Sequence, residues 1–189
     1  MLFQVLTFLM DVAVTLVGGA CLLRLYMRWR RMPMGHPVGR FVQALSDWLV
    51  LPLQRLVPST TPFDLASLLA AWLLKSLQLA ALMGLMGVAR WVLLPLLALL
   101  GVAKLAVSVA TAVIIIAAVL SWTGNRTPVS DMFDRLSAPL LAPVRRLIRP
   151  VGGVDLSPLL LIVGLQVVGI VLGSLQNQLF GAGLPMLGA

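Results

Sequence analysis

Four runs of about twenty mostly apolar residues dominate the chain, at 2–25, 65–89, 96–120 and 156–175. A run of that length is what one helical crossing of a bilayer takes. Arg90 and Pro95 interrupt what would otherwise be a single apolar stretch from 65 to 120. That stretch is far too long for one span and right for two joined by a tight hairpin. Pro95 then falls near the start of the third helix, where a missing N–H costs little. Only 11% of the 189 residues are charged and 60% are hydrophobic, against about 25% charged in a soluble domain. Such a chain has too little polar surface to cover a soluble core. The sequence predicts an all-α membrane protein with four transmembrane helices.

The basic residues are distributed unevenly over the segments between these runs. There are 14 Lys and Arg against 6 acidic residues, all Asp, for a net charge of +8. Arg24, Arg28, Arg30, Arg31, Arg40 and Arg55 lie at or between the first two spans; Arg126, Arg135, Arg145, Arg146 and Arg149 lie between the last two. Arg90 alone marks the central hairpin. Because cytoplasmic loops collect Arg and Lys, the expected topology has both long loops in the cytoplasm and both termini outside. The expected location is the bacterial inner membrane. Topology accounts for the positive charge, so no nucleic-acid partner is expected.

Rare residues narrow the chemistry. One Cys (Cys21) and one His (His36) leave no intramolecular disulfide and too few ligands for a zinc cluster. His36 sits in the turn-like stretch Met34-Gly35-His36-Pro37, with no nucleophile signature beside it. No phosphate-binding glycine loop or dinucleotide fingerprint is present. The expectation is a protein without catalytic residues, cofactor or metal.

The two halves align when the sequence is shifted by 91 residues. Pro37 meets Pro128, Leu45-Ser46 meets Leu136-Ser137, Pro52 meets Pro143, Arg55-Leu56 meets Arg146-Leu147, and Asp64-Leu65 meets Asp155-Leu156. Leucine matches are common in such a composition; Pro, Arg and Asp matches in one register are not. The chain therefore reads as two tandem helix-loop-helix repeats, 1–90 and 91–189, with loops at 28–64 and 122–155. Inside the loops, polar and apolar residues separate at helical spacing. Arg40, Gln43, Asp47 and Gln54 fall apart from Phe41, Leu45, Trp48 and Leu49, and Asp131, Asp134, Arg145 and Arg149 apart from Met132, Leu136, Leu140 and Leu147. That is the pattern of an amphipathic helix lying in the membrane interface, with Pro52 and Pro143 expected to bend or break it. Each loop closes with an Asp, Asp64 or Asp155, placed to cap the next span.

Several of these residues carry a resemblance. Arg28-Trp29 is followed by a Pro-led loop. Later come Leu140-Leu141-Ala142-Pro143-Val144-Arg145-Arg146-Leu147-Ile148-Arg149-Pro150 and Gly152-Gly153-Val154-Asp155-Leu156-Ser157-Pro158. The chain resembles the YggT family of small bacterial and plastid membrane proteins, over nearly its whole length. The first half departs from the family pattern, with Gln54-Arg55 in place of Arg-Arg and Ser59-Thr60-Thr61-Pro62 where Gly-Gly is usual. The resemblance implies an integral inner-membrane protein of repeated hairpins, with loose links to ion or osmotic homeostasis, to envelope and division processes, and to assembly of membrane complexes. It implies no enzymatic activity.

Candidate functional residues fall into three groups. Arg55, Arg145, Arg146 and Arg149 are candidates for binding anionic lipid or partner proteins, beside their plain role of setting topology. Asp11, Lys75, Lys104 and Gln166 are polar within spans, where burial costs about 2.5–3.5 kcal/mol even on insertion scales. The shift sets Lys75 against Gln166 and places Asp11 close in depth to Lys104, where the two could pair, tie helices together or snorkel to the interface. Asp64 and Asp155 are the helix caps. Small residues at Gly84, Gly87, Gly169 and Gly173 permit close helix packing, within the bundle or in a homo-oligomer. The leading expectation is an accessory or scaffold subunit that binds membrane lipids and other integral membrane proteins. The alternative is a channel- or transporter-like role in ion or osmotic homeostasis.

Overall fold

A computed structural model describes residues 1–57, 64–87, 91–122, 127–147 and 155–181. All regular structure among them is helical: α1 (Leu2–Trp29), α2 (Pro37–Leu56), α3 (Leu65–Met86), α4 (Leu94–Trp122), α5 (Pro128–Leu147) and α6 (Ser157–Gly181), with a 3-10 turn at Trp91–Leu93. Four stretches are long and apolar enough to cross a membrane: Gln4–Trp29, Leu65–Leu85, Trp91–Trp122 and Ser157–Leu179. Helix is the form in which a span satisfies every backbone N–H and C=O without water.

Local chemistry sets the helix ends. At the close of α1 the Met32 amide reaches back to the Met27 carbonyl at 3.0 Å and the Arg31 amide to Arg28 at 2.9 Å. This closure puts Arg31 at φ 52, a left-handed position that glycine usually fills. Pro37 opens α2 in the first turn after an extended His36. Gly39 is obligatory there, because a Cβ would stand 2.5 Å from the Met34 carbonyl oxygen. Asp64 caps α3, and Gly87 ends it at φ 69. Pro95 falls within the first turn of α4.

The expected breaks at Pro52 and Pro143 do not occur. Helix α2 continues through Pro52, and α5 through both Pro139 and Pro143. Each proline removes one backbone hydrogen bond, and the bonds on either side carry the helix past it.

The chain forms two compact units, Met1–Ala106 with Ser174–Ala189, and Val107–Gly173. Their boundary lies inside α4 and α6. In the first unit α1, α2 and α3 pack against one another. The core joins Cys21 and Leu22 of α1, Val50 of α2, Ala66, Ala70 and Ala71 of α3, and Val102 and Leu105 of α4. Small side chains bring the backbones close; a Cβ on Gly18 would come within 2.8 Å of Leu105. A second cluster joins Leu79 and Met83 to Leu97 and Ala98. In the second unit Val113, Ile114 and Ala117 of α4 are buried, as are Met132, Phe133, Leu136 and Leu141 of α5.

Candidate functional site

The first unit contains two polar layers. One lies where α1 ends and α3 begins. Arg24 is only 6% exposed. Its guanidinium donates to Ser46 Oγ at 3.2 Å and to the Asp47 carboxylate, and its Nε lies 3.6 Å from Asp64 Oδ2. One helical turn on, Arg28 donates to the same Asp64 oxygen at 2.7 Å. Asp64 is 1% exposed and also accepts from Ser67 Oγ at 2.8 Å and from the Gln54 amide at 3.3 Å. Two arginines face two aspartates, so the layer is neutral. It ties α1, α2 and α3 together. Burial alone would raise the Asp64 carboxyl. Hydrogen bonds from Arg28, Ser67 and Gln54, with the Arg28 charge, outweigh burial and hold it below the ordinary carboxylate value.

Asp64 caps α3 as its sequence position implies, while Arg24 and Arg28, which by position set topology, also bind its carboxylate, and Asp47 and Gln54 join them from α2. The signal was the spacing of Arg24 and Arg28, four residues apart and so on one face of a helix.

The same register in the second unit is occupied differently. Asp155 accepts from the Ser157 amide at 3.0 Å and from Arg145 Nε at 2.8 Å. Hydrogen bonds from Ser157 hold the Asp155 carboxyl below its ordinary value against a slight burial effect, with Arg145 adding to them. Both side chains are exposed, Asp155 by 39%. Arg145 follows Gln54 by the 91-residue shift. Arg146 and Arg55 are exposed, and Arg149 lies outside the described residues.

The second polar layer of the first unit lies deep in the spans. Lys75 Nζ donates to Gln78 Oε1 at 2.9 Å, and Gln78 Nε2 donates to Asp11 Oδ1 at 3.1 Å. Lys75 and Asp11 stand 3.8 Å apart as an ion pair. The Lys75 stem lies over Gly101, where a Cβ would stand 3.4 Å from its Cδ. Thus Asp11 meets Lys75 and Gln78, where sequence reasoning had offered Lys104. Lys104 is exposed on α4, close enough to Lys75 for the two charges to repel. Gln166 is exposed on α6, in the second unit.

The glycines expected to mediate packing differ in role. Gly87 ends α3, Gly84 has open space around its Cα, and a Cβ on Gly169 would make ordinary contact with Val107 at 3.8 Å. Among the described residues no three His, Cys, Asp or Glu side chains gather as a metal site would require.

The CCB3/YggT family profile matches residues 3–86 and 96–176. The chain belongs to the CCB3/YggT family. The YggT protein of Escherichia coli strain K12 is 31% identical over 167 residues, covering 86% of each chain. A protein encoded in the proC 3′ region of Vibrio alginolyticus is 31% identical over 182 residues, covering 93% of this chain and 97% of its own. A Haemophilus influenzae relative is 32% identical over 143 residues, covering 73% of this chain and 75% of its own. No solved structure matches. This YggT-family chain is a multi-pass membrane protein by its four apolar helices.

Proposed function

We propose that this YggT-family protein is a non-enzymatic accessory or scaffold subunit of the bacterial inner membrane, docking to other membrane proteins or anionic lipid through basic cytoplasmic loops. The observation that carries this reading is the pairing of exposed arginines with exposed apolar side chains on the loop helices. In α2, Gly39, Val42, Ser46 and Val50 are buried along one face, while Phe41, Trp48, Leu51 and Leu56 are exposed together with Arg40 and Arg55. A soluble helix that left Phe and Trp in water would lose the benefit of burying them. An interfacial helix seats them among acyl chains and its arginines at the headgroups. In α5, Arg145 and Arg146 are exposed at the end that precedes Asp155.

The reading includes two tandem units of span, interfacial helix and span. Three things support it. Helices α2 and α5 are each 20 residues long and start 91 residues apart, the family match falls in two stretches, one per half, and Asp64 and Asp155 each take an amide from the residue two or three positions on. With both loops cytoplasmic, both termini lie outside.

Charge reversal tests the docking. Arg145→Asp with Arg146→Asp is expected to abolish co-purification of partner proteins and anionic phospholipid from native membranes, with the protein still inserted. Unchanged co-purification would sink the proposal.

A channel- or transporter-like role in ion or osmotic homeostasis is the second reading, favoured by the Asp11–Lys75–Gln78 cluster. Against it stands the apolar core of Cys21, Leu22, Ala66, Ala70 and Ala71, which separates that cluster from the Arg24–Asp64 layer. Lys75→Gln in liposomes alters ion flux on the channel reading and leaves it unchanged on the accessory reading.

A further inference from the structure

We propose that one stripe of α6, formed by Leu159, Val163, Gln166 and Ile170, is the face on which a second copy of this chain packs in parallel, with the two Gln166 amides hydrogen-bonded to each other at mid-membrane. The proposal is independent of the accessory-subunit reading, since it uses no arginine and no loop.

Helix α6 spends one face on its own unit. Ile162, Leu165, Gly169 and Leu172 are half-buried, and a Cβ on Gly169 would stand 3.8 Å from Val107 of α4. The stripe beside that face is uncovered. Leu159, Val163 and Ile170 are exposed, Ile170 by 70%, and Gln166 is exposed between them. Apolar exposure of this kind is ordinary in lipid. The exposed amide is not. Gln166 follows Ser157, the first residue of α6, by nine residues, or about 14 Å at 1.5 Å per residue. That is near the centre of a hydrocarbon core of about 30 Å, beyond the reach of water and headgroups. Gln166 makes no hydrogen bond among the described residues. An amide left unpaired in hydrocarbon is costly, and spans relieve it by bonding across helices.

Hydrogen-bond chemistry, orientation and spacing choose the occupant. A Gln amide carries one acceptor oxygen and two N–H donors, so two such amides are mutually complementary, and being neutral they do not repel. The uneven distribution of arginines between the loops inserts every copy in one orientation. Two copies then lie parallel about an axis along the membrane normal, and residues facing that axis meet their own counterparts at the same depth. Gln166 thereby finds an amide at its own level. A foreign span would need a polar group at that one height, and an acyl chain has none. The apolar residues fit the same geometry. From Leu159 the steps to Val163, Gln166, Ile170 and Gly173 are four, three, four and three residues. This is the 3.5-residue repeat of a parallel two-helix seam, in which a single polar residue fixes register and strand number. Val163 and Ile170 are β-branched and already held near one rotamer in a helix, so packing them orders little.

The test uses the full chain in neutral phosphatidylcholine vesicles, with Cys21→Ala so that introduced cysteines are the only ones. Oxidation with copper phenanthroline is expected to give disulfide-linked dimers from Val163→Cys and Ile170→Cys, and at least fivefold less from Leu165→Cys, on the half-buried face. Energy transfer between copies labelled at the N-terminus with donor or acceptor, followed as lipid is added, is expected to show a dimer. Its dissociation constant should rise at least fivefold in Gln166→Leu and less than twofold in Gln166→Asn, which keeps the amide. Gln166→Leu places an apolar side chain at an exposed span position, so the fold of the single chain does not depend on the change. Equal cross-linking from both faces, monomers at every protein-to-lipid ratio, or a dimer indifferent to Gln166→Leu overturns the proposal. So does cross-linking of Ile170→Cys in native membranes to a different protein rather than to itself, which gives the face to a foreign span. The vesicles hold neither a partner protein nor anionic lipid, so failure here is separable from failure of the cytoplasmic docking reading.

Discussion

Asp64 and Asp155 occupy one register in the two halves of the chain and are held in opposite ways. Asp64 is buried and takes its guanidiniums from a span, through Arg24 and Arg28 of α1. Asp155 is exposed and takes its guanidinium from the loop helix, through Arg145 of α5. At the matched position in α2, Gln54 offers only an amide. A carboxylate at the head of a span thus finds a cation in either half, and the sequence chooses which element supplies it. The choice has a structural consequence. A span that supplies the cation must bury it, and that demands further partners, here Ser46 and Asp47. A span relieved of the task is free to be apolar. Cys21, Arg24 and Met27 are buried at three-residue spacing in α1; Thr111, Ile114 and Ala117 are buried at the same spacing in α4. Where α2 has Asp47, α5 has Ala138. The first half solves this with a buried ion pair; the second has a buried apolar stretch in α4 and Ala138 in α5.

The largest expected difference follows directly. Removing one partner of a buried ion pair leaves an uncompensated charge and costs about 3–5 kcal/mol. Asp64→Ala, which strands Arg28 and part of Arg24, is expected to fall in that range in reversible unfolding in mixed micelles. Asp155→Ala loses a helix cap and an exposed ion pair, together about 1 kcal/mol. Equal costs at the two positions would show that burial is not what separates them.

The contrast also marks how far the sequence could be read. The spans were legible because about twenty apolar residues in a row admit few other structures. Helical character within the two loops was legible from the separation of polar and apolar residues, and the starts at Pro37 and Pro128 fit a proline accepted in a first turn. The Arg24 network was not, since it joins residues from three elements and depends on how those elements pack. Arg24 looked like a residue at the edge of a span, and Asp64 like a plain cap. The 91-residue register aligned the starts of the loop helices, at Pro37 and Pro128. It likewise suggested Lys104 for Asp11, although packing of α1 on α3 brings Lys75 and Gln78 to Asp11. Pro52 and Pro143 looked like breaks because proline rules describe a helix without its surroundings.

A second way to sharpen the comparison is to convert the first solution into the second. Arg24→Ile alone leaves Asp47 without its cation; Asp47→Ala alone leaves the buried Arg24 with an incomplete shell. Made together they remove both charges of the pair. The double variant is expected to cost about 1–3 kcal/mol less than the sum of the singles, as contacting charged residues do in a double-mutant cycle. Additive losses would mean that Arg24 serves Asp64 alone.

Acid should act on both halves in the same direction. Both carboxyls titrate below their ordinary value, about 3.9 for Asp. A depressed folded-state value contributes stability that is fully present above the unfolded value and is lost as pH falls through the folded one. Unfolding curves are therefore expected to be flat from neutral pH to about 5 and to steepen below about 4. Asp64→Asn should remove more of that acid limb than Asp155→Asn, because more of the first unit's contacts run through its carboxylate.

The smallest expected effect carries the most functional weight. Arg145→Gln gives α5 the residue that α2 already carries at the matched position. Asp155 keeps its Ser157 amide, and the lost pair is exposed, so the cost is below about 1 kcal/mol. A fold that tolerates this change is not using Arg145 chiefly for stability. Loss of partners in a charge-reversed Arg145 and Arg146 variant of unchanged thermal stability would then report on the surface they present. If Arg145→Gln instead unfolds the protein as readily as Asp64→Ala, the two aspartates are equally structural, and the arginines of the second half belong to the fold before they belong to any partner.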